Sequence, residues 1–357
     1  MSNYLLIDKQ DYINSINLHL GLYYPLKGFV TSDEFKQITY KKKILGLNFS
    51  IPINIFCTKK KIEQINIGEK VYLKYKTDII GYLIPKSKFK INVNHFLKSI
   101  FLTTNIKHPG VNYYLEKIRS NPYSIGGKVH IYKYKISKFF RYNNFDLIKQ
   151  LKKNKHRDAV FSTRNIPHIG HNLIQKKILR NKKKLSIFII LSIKNKYNYD
   201  LLMNSYKVLK KNKIFKNIKI FFIQLPSFFA GPNEAFFQAK IFENLKFKYF
   251  YVGRDHAGHN SYYSKFQSQK IFKKLKTNIQ IIKFNEPMFC NYCSQSVINK
   301  FVYKRCCPIC KKNNLSEING TDIKKLIKKK QKTMLSRYLD KFIYNYLKKN
   351  DFHLQIY

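Results

Sequence analysis

The stretch that decides the fold is Asp158-Ala-Val-Phe-Ser-Thr-Arg-Asn-Ile-Pro-His-Ile-Gly-His-Asn172. A short apolar strand, 158–162, runs into a polar turn, which delivers His168 and His171 to the first turn of a helix. Backbone N–H groups and the positive end of the helix dipole favour anions there. Arg164 adds a planar fork of donors. The stretch therefore predicts a strand–turn–helix unit with a compact site for phosphate-like oxyanions.

A second turn of this kind, Val252-Gly-Arg-Asp-His-Ala-Gly258, follows another apolar segment. Its glycines let the backbone approach a ligand closely. An ordinary strand-to-helix turn with an Asp cap is the structural alternative, but such a turn needs no Arg-Asp-His cluster. Two oxyanion turns in one chain indicate a site for two anions, as nucleotidyl transfer requires.

Around these turns, apolar β-rich segments alternate with amphipathic helical segments. The predicted strands are 158–162, 185–193, 218–224, 248–252 and 279–284, and the predicted helices are 168–180, 199–211, 233–244 and 261–275. This alternation predicts a doubly wound α/β fold, with a parallel sheet covered by helices on both faces. Ligands of such sheets bind beyond the carboxyl ends of the strands, where both turns lie.

The flanking regions have a different pattern. Residues 1–135 contain short β-rich runs at 49–56, 70–75 and 79–84, separated by glycine and proline turn signals. We expect a mostly β accessory domain over 1–135 and a catalytic domain over 136–320. A Cys-rich segment, 288–312, lies within the second domain, and the Lys-rich residues 321–357 are predicted to be helical.

The composition is strongly basic, with a formal net charge of +50 over 357 residues. Only 8 of the 69 basic residues are Arg, and the lysines are scattered along the chain. We interpret the charge as the drift of an A+T-rich gene, which argues against a nucleic-acid partner beyond weak binding at low salt. Because Arg is rare, its presence at 164 and 254 favours a functional role there. No segment predicts a membrane span or a secretory signal, so we expect a cytoplasmic protein.

Two Cys pairs have the spacing of a structural zinc site. The candidate ligands are Cys290, Cys293, Cys307 and Cys310. Cys306 is an alternative to its neighbour at the third position. A closed four-thiolate site has no open coordination position, so we expect structure and not catalysis from this zinc.

A third motif, Ala230-Gly-Pro-Asn-Glu-Ala235, is by itself typical of a helix start. In this order, the motifs resemble the ATP sulfurylase (sulfate adenylyltransferase) family over roughly 15–325. The N-terminal marks of the resemblance are Tyr24-Pro-Leu-Lys-Gly-Phe29, Ser50-Ile-Pro-Ile53, Lys107-His-Pro-Gly-Val111 and Ile125-Gly-Gly-Lys-Val129. It implies a PUA-like β domain ahead of a Rossmann-like nucleotidyltransferase domain of the prokaryotic, zinc-bearing type.

The resemblance also implies a reaction, in which sulfate attacks the α-phosphorus of Mg²⁺-ATP. Arg164 would bind sulfate together with the backbone N–H of Ala257. Asn165, His168 and His171 would hold the ATP phosphates, and Arg254 would lie beside the nucleotide. The remaining substrate-binding candidates are Ser162, Thr163, Gly253, Asp255 and His256. Family members differ in oligomeric state, so a homo-oligomer is compatible with the resemblance.

Several positions depart from the family pattern. Ser162 stands where Gln is usual and Asn233 where Arg is usual. Further departures are His259-Asn260 for Pro-Gly, Asn319 for Ser, Lys324 for Arg and Cys310 for His. They leave open an eroded homologue that binds nucleotide without turnover.

A second alternative is an RNA-acting protein of the class I tRNA-synthetase type. It is suggested by His168-Ile-Gly-His171, by the Cys pairs and by the charge. Such an enzyme also needs a Lys-Met-Ser-Lys-Ser-like loop, for which Lys332-Thr-Met-Leu-Ser-Arg337 is a poor match.

Overall fold

The computed structural model describes residues 3–133, 142–154, 157–181, 184–192, 199–211, 218–254, 256–258, 262–285, 287–290, 296–297, 315–317 and 320–350. The chain divides into two compact units. The first is formed by Met1–Lys155 and Ile223–Ile281, and the second by His156–Phe222 and Ile282–Tyr357. No helix in the described part of the chain is long and apolar enough to span a membrane.

The N-terminal part of the first unit is built on a six-stranded sheet. Its elements are β1 (Tyr4–Leu6), α1 (Lys9–His19), β2 (Gly28–Phe29), α2 (Ser32–Lys41), β3 (Lys43–Ile44), β4 (Leu47–Asn48), β5 (Phe56–Cys57), α3 (Lys59–Glu63), β6 (Val71–Tyr75), β7 (Asp78–Lys90), α4 (Val93–Phe101), α5 (Pro109–Ser120), β8 (Tyr123–Ile131) and α6 (Asn144–Lys153). The strand order is β1-β6-β7-β8-β2, with β5 also paired to β8, and β3 and β4 form a separate hairpin.

The expectation of a mostly β region over 1–135 needs correction, because α1, α2, α4 and α5 occupy much of it. Of the run 49–56, only the last residue lies in a strand. All its side chains are buried, so the apolar pattern there reflects packing and not ladder pairing.

The helices that the sequence analysis missed begin at side-chain caps. Asp8 accepts a hydrogen bond from Asp11 N at the start of α1. Thr31 and Glu34 form a capping box at α2. His108 caps α5 through Nδ1, which accepts from Gly110 N and Val111 N at 3.2 Å each. Caps of this kind start a helix whether or not its apolar residues show a clear period.

The remainder of the first unit comes from the later part of the chain. It contains α9 (Pro232–Asn244), β12 (Tyr249–Val252) and α10 (Gln267–Lys274), and β13 (Gln280–Lys283) begins in it beside β12. Gln224, at the end of β11, is hydrogen-bonded to buried side-chain amides of this unit. Its carbonyl accepts from Asn17 Nδ2 at 3.1 Å and from Asn144 Nδ2 at 2.8 Å.

The second unit contains the strand–turn–helix stretch. Its α/β elements are β9 (Ala159–Thr163), α7 (Ile169–Asn181), β10 (Leu185–Leu191), α8 (Tyr199–Lys211) and β11 (Ile218–Gln224), whose last residues cross into the first unit. β9 pairs with β10 in parallel, with Ala159 opposite Leu185, and β11 lies on the other side of β10. The predicted parallel pairing and helix alternation are confirmed here.

The second unit ends in a small sheet and three helices. These are β14 (Met288–Cys290), β15 (Ser296–Val297), β16 (Leu315–Glu317), α11 (Gly320–Lys328), α12 (Lys332–Tyr338) and α13 (Lys341–Lys349). β14 is the central strand and pairs antiparallel with both neighbours. The predicted helical character of 321–357 is confirmed as far as Asn350, and the last seven residues lie outside the described ranges.

Candidate active site

The turn between β9 and α7 is held in place from two sides. Every residue of β9 is buried, including Ser162 and Thr163. Asn165 N donates to Thr163 Oγ1 at 3.1 Å, which closes the turn. Tyr206 of α8, fully buried, donates from its hydroxyl to Asn165 O at 3.2 Å. The turn is therefore fixed by its own strand and by the next helix of the fold.

The two histidines of this turn lie against each other. The ring centroids of His168 and His171 are 3.8 Å apart, with 30° between the ring planes. Phe161 packs edge-on against His171 at 5.2 Å. His168 is 3% exposed. Nδ1 of each ring is shielded from solvent and has no hydrogen-bond partner among the described residues. Within the described part of the chain, each imidazole thus has one buried nitrogen available to a ligand.

Burial keeps both rings neutral at physiological pH. Burial, and to a lesser extent the neighbouring ring of His171, holds the pKa of His168 well below its usual value. Burial lowers the pKa of His171 to about 3. A neutral imidazole carries one N–H donor and one acceptor. The pair can therefore donate to an anion without itself carrying a charge.

The polar face of α7 extends beyond the two histidines. Gln175 is fully buried, and neither its side-chain oxygen nor its nitrogen has a partner among the described residues. Asn172 Oδ1 is in the same condition. The spacing of 168, 171, 172 and 175 places all four on one helix face. Buried polar groups are normally satisfied, so this face is suited to a polar ligand or ordered water.

Two glycines bring other segments close to the turn. A Cβ on Gly320, the first residue of α11, would lie 2.5 Å from the side-chain amide of Asn165. A Cβ on Gly170 would lie 2.9 Å from Pro287 and 3.1 Å from His168 Nδ1. Neither position has room for a side chain. Of the segment around Gly320, only Asn319 was singled out from the sequence, as a departure from the family pattern, whereas the fold brings Gly320 against the candidate site residue Asn165.

The second turn follows β12 and is held by α9 and α10. Gln269 Nε2 donates to Val252 O at 3.0 Å, and Ser268 Oγ donates to His256 O at 2.7 Å. His256 Nε2 lies 2.8 Å from Gln238 Oε1. Because the amide oxygen is an acceptor, this contact assigns the ring proton to Nε2. The His256 ring is thus oriented by a residue that the sequence analysis did not single out.

The backbone of the second turn is strained at one position. Ala257 has a φ of +58°, in the left-handed region that non-glycine residues rarely adopt. Such strain costs about 1–3 kcal/mol and is concentrated at functional sites. Gly253 and Arg254 are half-buried, like Arg164 of the first turn. Asp255 lies outside the described residues, as do His259 and Asn260.

The described contacts of the motif Ala230–Ala235 are hydrogen bonds that hold the start of α9 in place. Asn233 is 3% exposed, and its Nδ2 donates to Ser99 O at 3.2 Å and Ile100 O at 2.8 Å. Its own carbonyl accepts from Ser50 Oγ at 2.7 Å. Glu234 Oε2 accepts from Ala230 N and so closes the start of α9. The departure from the family pattern at 233 is therefore built into the packing of the first unit.

The predicted zinc ligands are only partly described. Cys290 is buried at the end of β14, and the adjacent Phe289 ring packs 4.8 Å from Tyr338. Cys293, Cys306, Cys307 and Cys310 lie outside the described residues. Within the described ranges, no cluster of three or more His, Cys, Asp or Glu side chains could hold a metal ion. The zinc site stays a prediction.

Comparison with known proteins identifies the class of this fold and site. The model of the ATP-sulfurylase family matches residues 140–350, and that of the PUA-like domain matches residues 2–134. The chain belongs to the ATP-sulfurylase family. The resemblance stated from the motifs is thereby confirmed.

Individual relatives agree with this assignment. The chain is 29% identical to the sulfate adenylyltransferase of Thermococcus onnurineus, over 90% of this chain and 84% of the relative. It is 28% identical to that of Carboxydothermus hydrogenoformans, over 91% and 86%. A solved structure described as a hexameric APS kinase from Thiobacillus denitrificans is similar in fold, with a TM-score of 0.66 and 13% identity. The alignment covers 98% of this chain but only 63% of that structure.

Proposed function

We propose that the protein is a sulfate adenylyltransferase that converts ATP and sulfate to adenylyl sulfate and pyrophosphate. The observation that carries the proposal is the stacked, neutral pair His168 and His171 at the start of α7, whose Nδ1 atoms have no partner among the described residues. Arg164 precedes the pair in the same turn. This arrangement concentrates anion-binding donors at a helix N-terminus. Relatives named sulfate adenylyltransferase over most of their length support the same activity.

The proposed reaction needs alignment and charge stabilisation more than proton transfer. A sulfate oxygen forms a bond to the α-phosphorus, and the bond from that phosphorus to the bridging oxygen of pyrophosphate breaks. Sulfate is already an anion at neutral pH, so no general base is required. Two negatively charged reactants must instead be held in line while donors stabilise the charge of the transition state.

We assign the phosphate-binding role to the first turn. Asn165, His168 and His171 would contact the triphosphate of ATP, and Arg164 would bind sulfate, with Thr163 and Ser162 lining the end of β9. The serine hydroxyl supplies one donor where a longer amide is usual in the family. We therefore expect weaker sulfate binding than in relatives that carry the amide.

We assign supporting roles to the second turn. Arg254 would stabilise charge beside the nucleotide, and the backbone of Gly253 and Ala257, with Asp255 and His256, would complete the substrate contacts. The hydrogen bond from His256 to Gln238 supports an oriented ring there. That both turns serve one reaction stays a prediction.

Two metals belong to the proposal. Mg²⁺ would arrive bound to ATP, where it neutralises phosphate charge, and it usually keeps its water and phosphate ligands instead of a protein cage. Zinc would be held by Cys290, Cys293, Cys307 and Cys310 and would stabilise 288–312. The family assignment and the described residues are compatible with a cytoplasmic enzyme, which is where we place it.

The synthetase-like alternative is disfavoured by one observation. The segment 332–337, the nearest candidate for its signature loop, lies within the helix α12.

An activity assay distinguishes the proposal from the eroded, non-catalytic alternative. We would measure pyrophosphate release from Mg²⁺-ATP with sulfate, and with molybdate as a second oxyanion. Release that depends on the oxyanion supports the proposal. ATP binding without oxyanion-dependent release would select the eroded alternative.

A further inference from the structure

One face of the six-stranded sheet in the first unit carries aromatic rings in a row across four strands. Strand pairing places Tyr4 opposite Tyr72, Tyr72 opposite Tyr82 and Tyr82 opposite His130. Side chains directly opposite each other lie on the same face of a sheet. We call Tyr4, Tyr72, Tyr82 and His130 the aromatic row. None of its members has a role in the proposed nucleotidyl transfer.

The aromatic row lies at the surface and not in the core. In β6, buried apolar residues alternate with Tyr72 and Lys74, which point to the opposite face. Tyr72 is 37% exposed, His130 is exposed, and Tyr4 and Tyr82 are half-buried. A core-facing row would instead be fully buried at each strand. The rings are therefore accessible to a partner.

Ring contacts at His130 join the end of the aromatic row to neighbouring aromatic residues. The centroids of Tyr82 and His130 are 5.0 Å apart with 26° between their planes. His19 of α1 packs edge-on against His130 at 5.2 Å. Tyr132, two residues further along the chain, lies 6.0 Å from the same ring. The aromatic surface therefore extends beyond the four residues of the row, to His19 and Tyr132.

Lysines flank the aromatic row on both sides. Lys70 Nζ lies 5.0 Å from the centroid of the Tyr82 ring. Lys74 and Lys61 lie 5.1 and 5.6 Å from that of Tyr4. Lys128, exposed, precedes His130 by two residues in β8 and so shares its face. Across β1, β6, β7 and β8, five lysines outnumber one acidic residue, Asp78, so these strands carry a net positive charge.

We propose that the aromatic row and its flanking lysines bind single-stranded nucleic acid, with bases stacked on the rings and phosphates paired with the ammonium groups. Stacking platforms beside positive charge are how proteins bind single strands without sequence preference. Four strands span about 14 Å, and sheets with such aromatics hold two or three bases. Charge complementarity therefore fits a polyanion with planar groups.

The composition does not exclude this partner. The scarcity of Arg argues against the reading of base edges, which depends on its bidentate fork. Sequence-tolerant binding needs only positive charge and ring faces, which Lys, Tyr and His supply. The scattered lysines of the whole chain carry no information about a site. The strands, however, hold Lys74 and Lys128 near the rings, and Lys70 Nζ lies 5.0 Å from the Tyr82 centroid.

The test uses the full chain and a fluorescent single-stranded RNA of about 12 nucleotides, within the site size of known platforms. Binding is measured by anisotropy at about 150 mM salt. We expect saturable binding, which the double variant Tyr72→Ala/Tyr82→Ala weakens about tenfold or more. Tyr72→Phe/Tyr82→Phe should retain binding because the ring faces remain. Tyr40→Ala, which removes an exposed tyrosine of α2, is the matched control.

Three results would overturn the inference. One is the absence of saturable binding, and another is equal affinity of the wild type and the double alanine variant. The third is equal competition by a duplex of the same sequence, which would indicate charge alone. Competition by the same single strand as DNA supports the inference and shows that the sugar is not recognised. Pyrophosphate release and thermal unfolding of the phenylalanine variant should equal those of the wild type.

Discussion

The imidazole rings of His168 and His171 stack at 3.8 Å while Nδ1 of each is hidden from solvent without a partner among the described residues. Burial depresses both pKa values, so each ring is neutral and carries a single N–H donor. An anion at the start of α7 would satisfy these atoms and favour their protonation. If an anion binds there, we expect its binding to be linked to proton uptake and to stability in acid.

The stability of the protein should fall in acid because His168 and His171 are buried in the neutral form. The folded pKa values lie below the unfolded value of 6.5, so the unfolded chain takes up protons first as the pH falls. The contribution of the pair is thus present above pH 6.5 and is lost as the pH falls from there toward about 3. The temperature of thermal unfolding should fall across this pH range, and in His168→Gln/His171→Gln its dependence on pH should be weaker.

Calorimetry near pH 6 in buffers of different ionisation enthalpy should show proton uptake with ATP. An unchanged pH profile in the double variant would contradict the assignment.

Arg164 should be required for turnover and not for folding. Arg164→Ala should lower kcat/KM for sulfate-dependent pyrophosphate release by about 100- to 1,000-fold, since it removes a donor to developing charge. Arg164→Lys should restore only part of the rate, because an ammonium lacks the planar fork. Arg180→Ala, which removes an exposed arginine in the last turn of the same helix, is the matched control. Retained turnover in Arg164→Ala would remove this residue from the site.

Because Gly320 lies against Asn165, a side chain at position 320 should disturb the first turn. Gly320→Ala places a Cβ 2.5 Å from the Asn165 amide and should displace it, which lowers kcat/KM for ATP. If the effect acts through this contact, Asn165→Ala/Gly320→Ala should be no less active than Asn165→Ala alone. Kinetics of the four proteins form a double-mutant cycle. Additive losses would show that the glycine acts elsewhere.

Asn233 should be a stability residue. Its amide donates to two carbonyls of α4, so Asn233→Ala should lower the free energy of unfolding by about 1–3 kcal/mol. Asn233→Arg, the residue usual in the family, should destabilise further, because the position is 3% exposed. Asn112→Ala, which removes an exposed hydrogen bond to Glu116, is the control in denaturant titrations. A rise in turnover with Asn233→Arg would instead favour the eroded alternative.

Removal of zinc should affect structure before chemistry. The purified protein should contain zinc, and a strong chelator should increase hydrogen exchange over 288–312, since the ion stabilises its own segment. Pyrophosphate release should decline only as this segment loosens. An immediate loss of rate with unchanged exchange would place the metal in the reaction.

The sequence by itself determined the order of the α/β elements and most of their bounds, although the helix predicted at 261–275 is shorter and spans Gln267–Lys274. The helix predicted at 199–211 spans Tyr199–Lys211, and the strand predicted at 218–224 spans Ile218–Gln224. The period of the apolar residues differs between helix and strand, so local periodicity indicates the type and length of an element. The candidate residues of both turns were recognisable from short local motifs, and their roles stay predictions.

Only the tertiary structure decided which distant residues meet. Burial, which no local pattern reports, sets the pKa values of His168 and His171. The approach of Gly320 to Asn165 joins residues far apart in the chain, and strand register, not spacing, aligns Tyr72 with Tyr82 and His130. Contacts of this kind arise when elements pack, because packing depends on the shapes of both partners while sequence periodicity describes one element at a time.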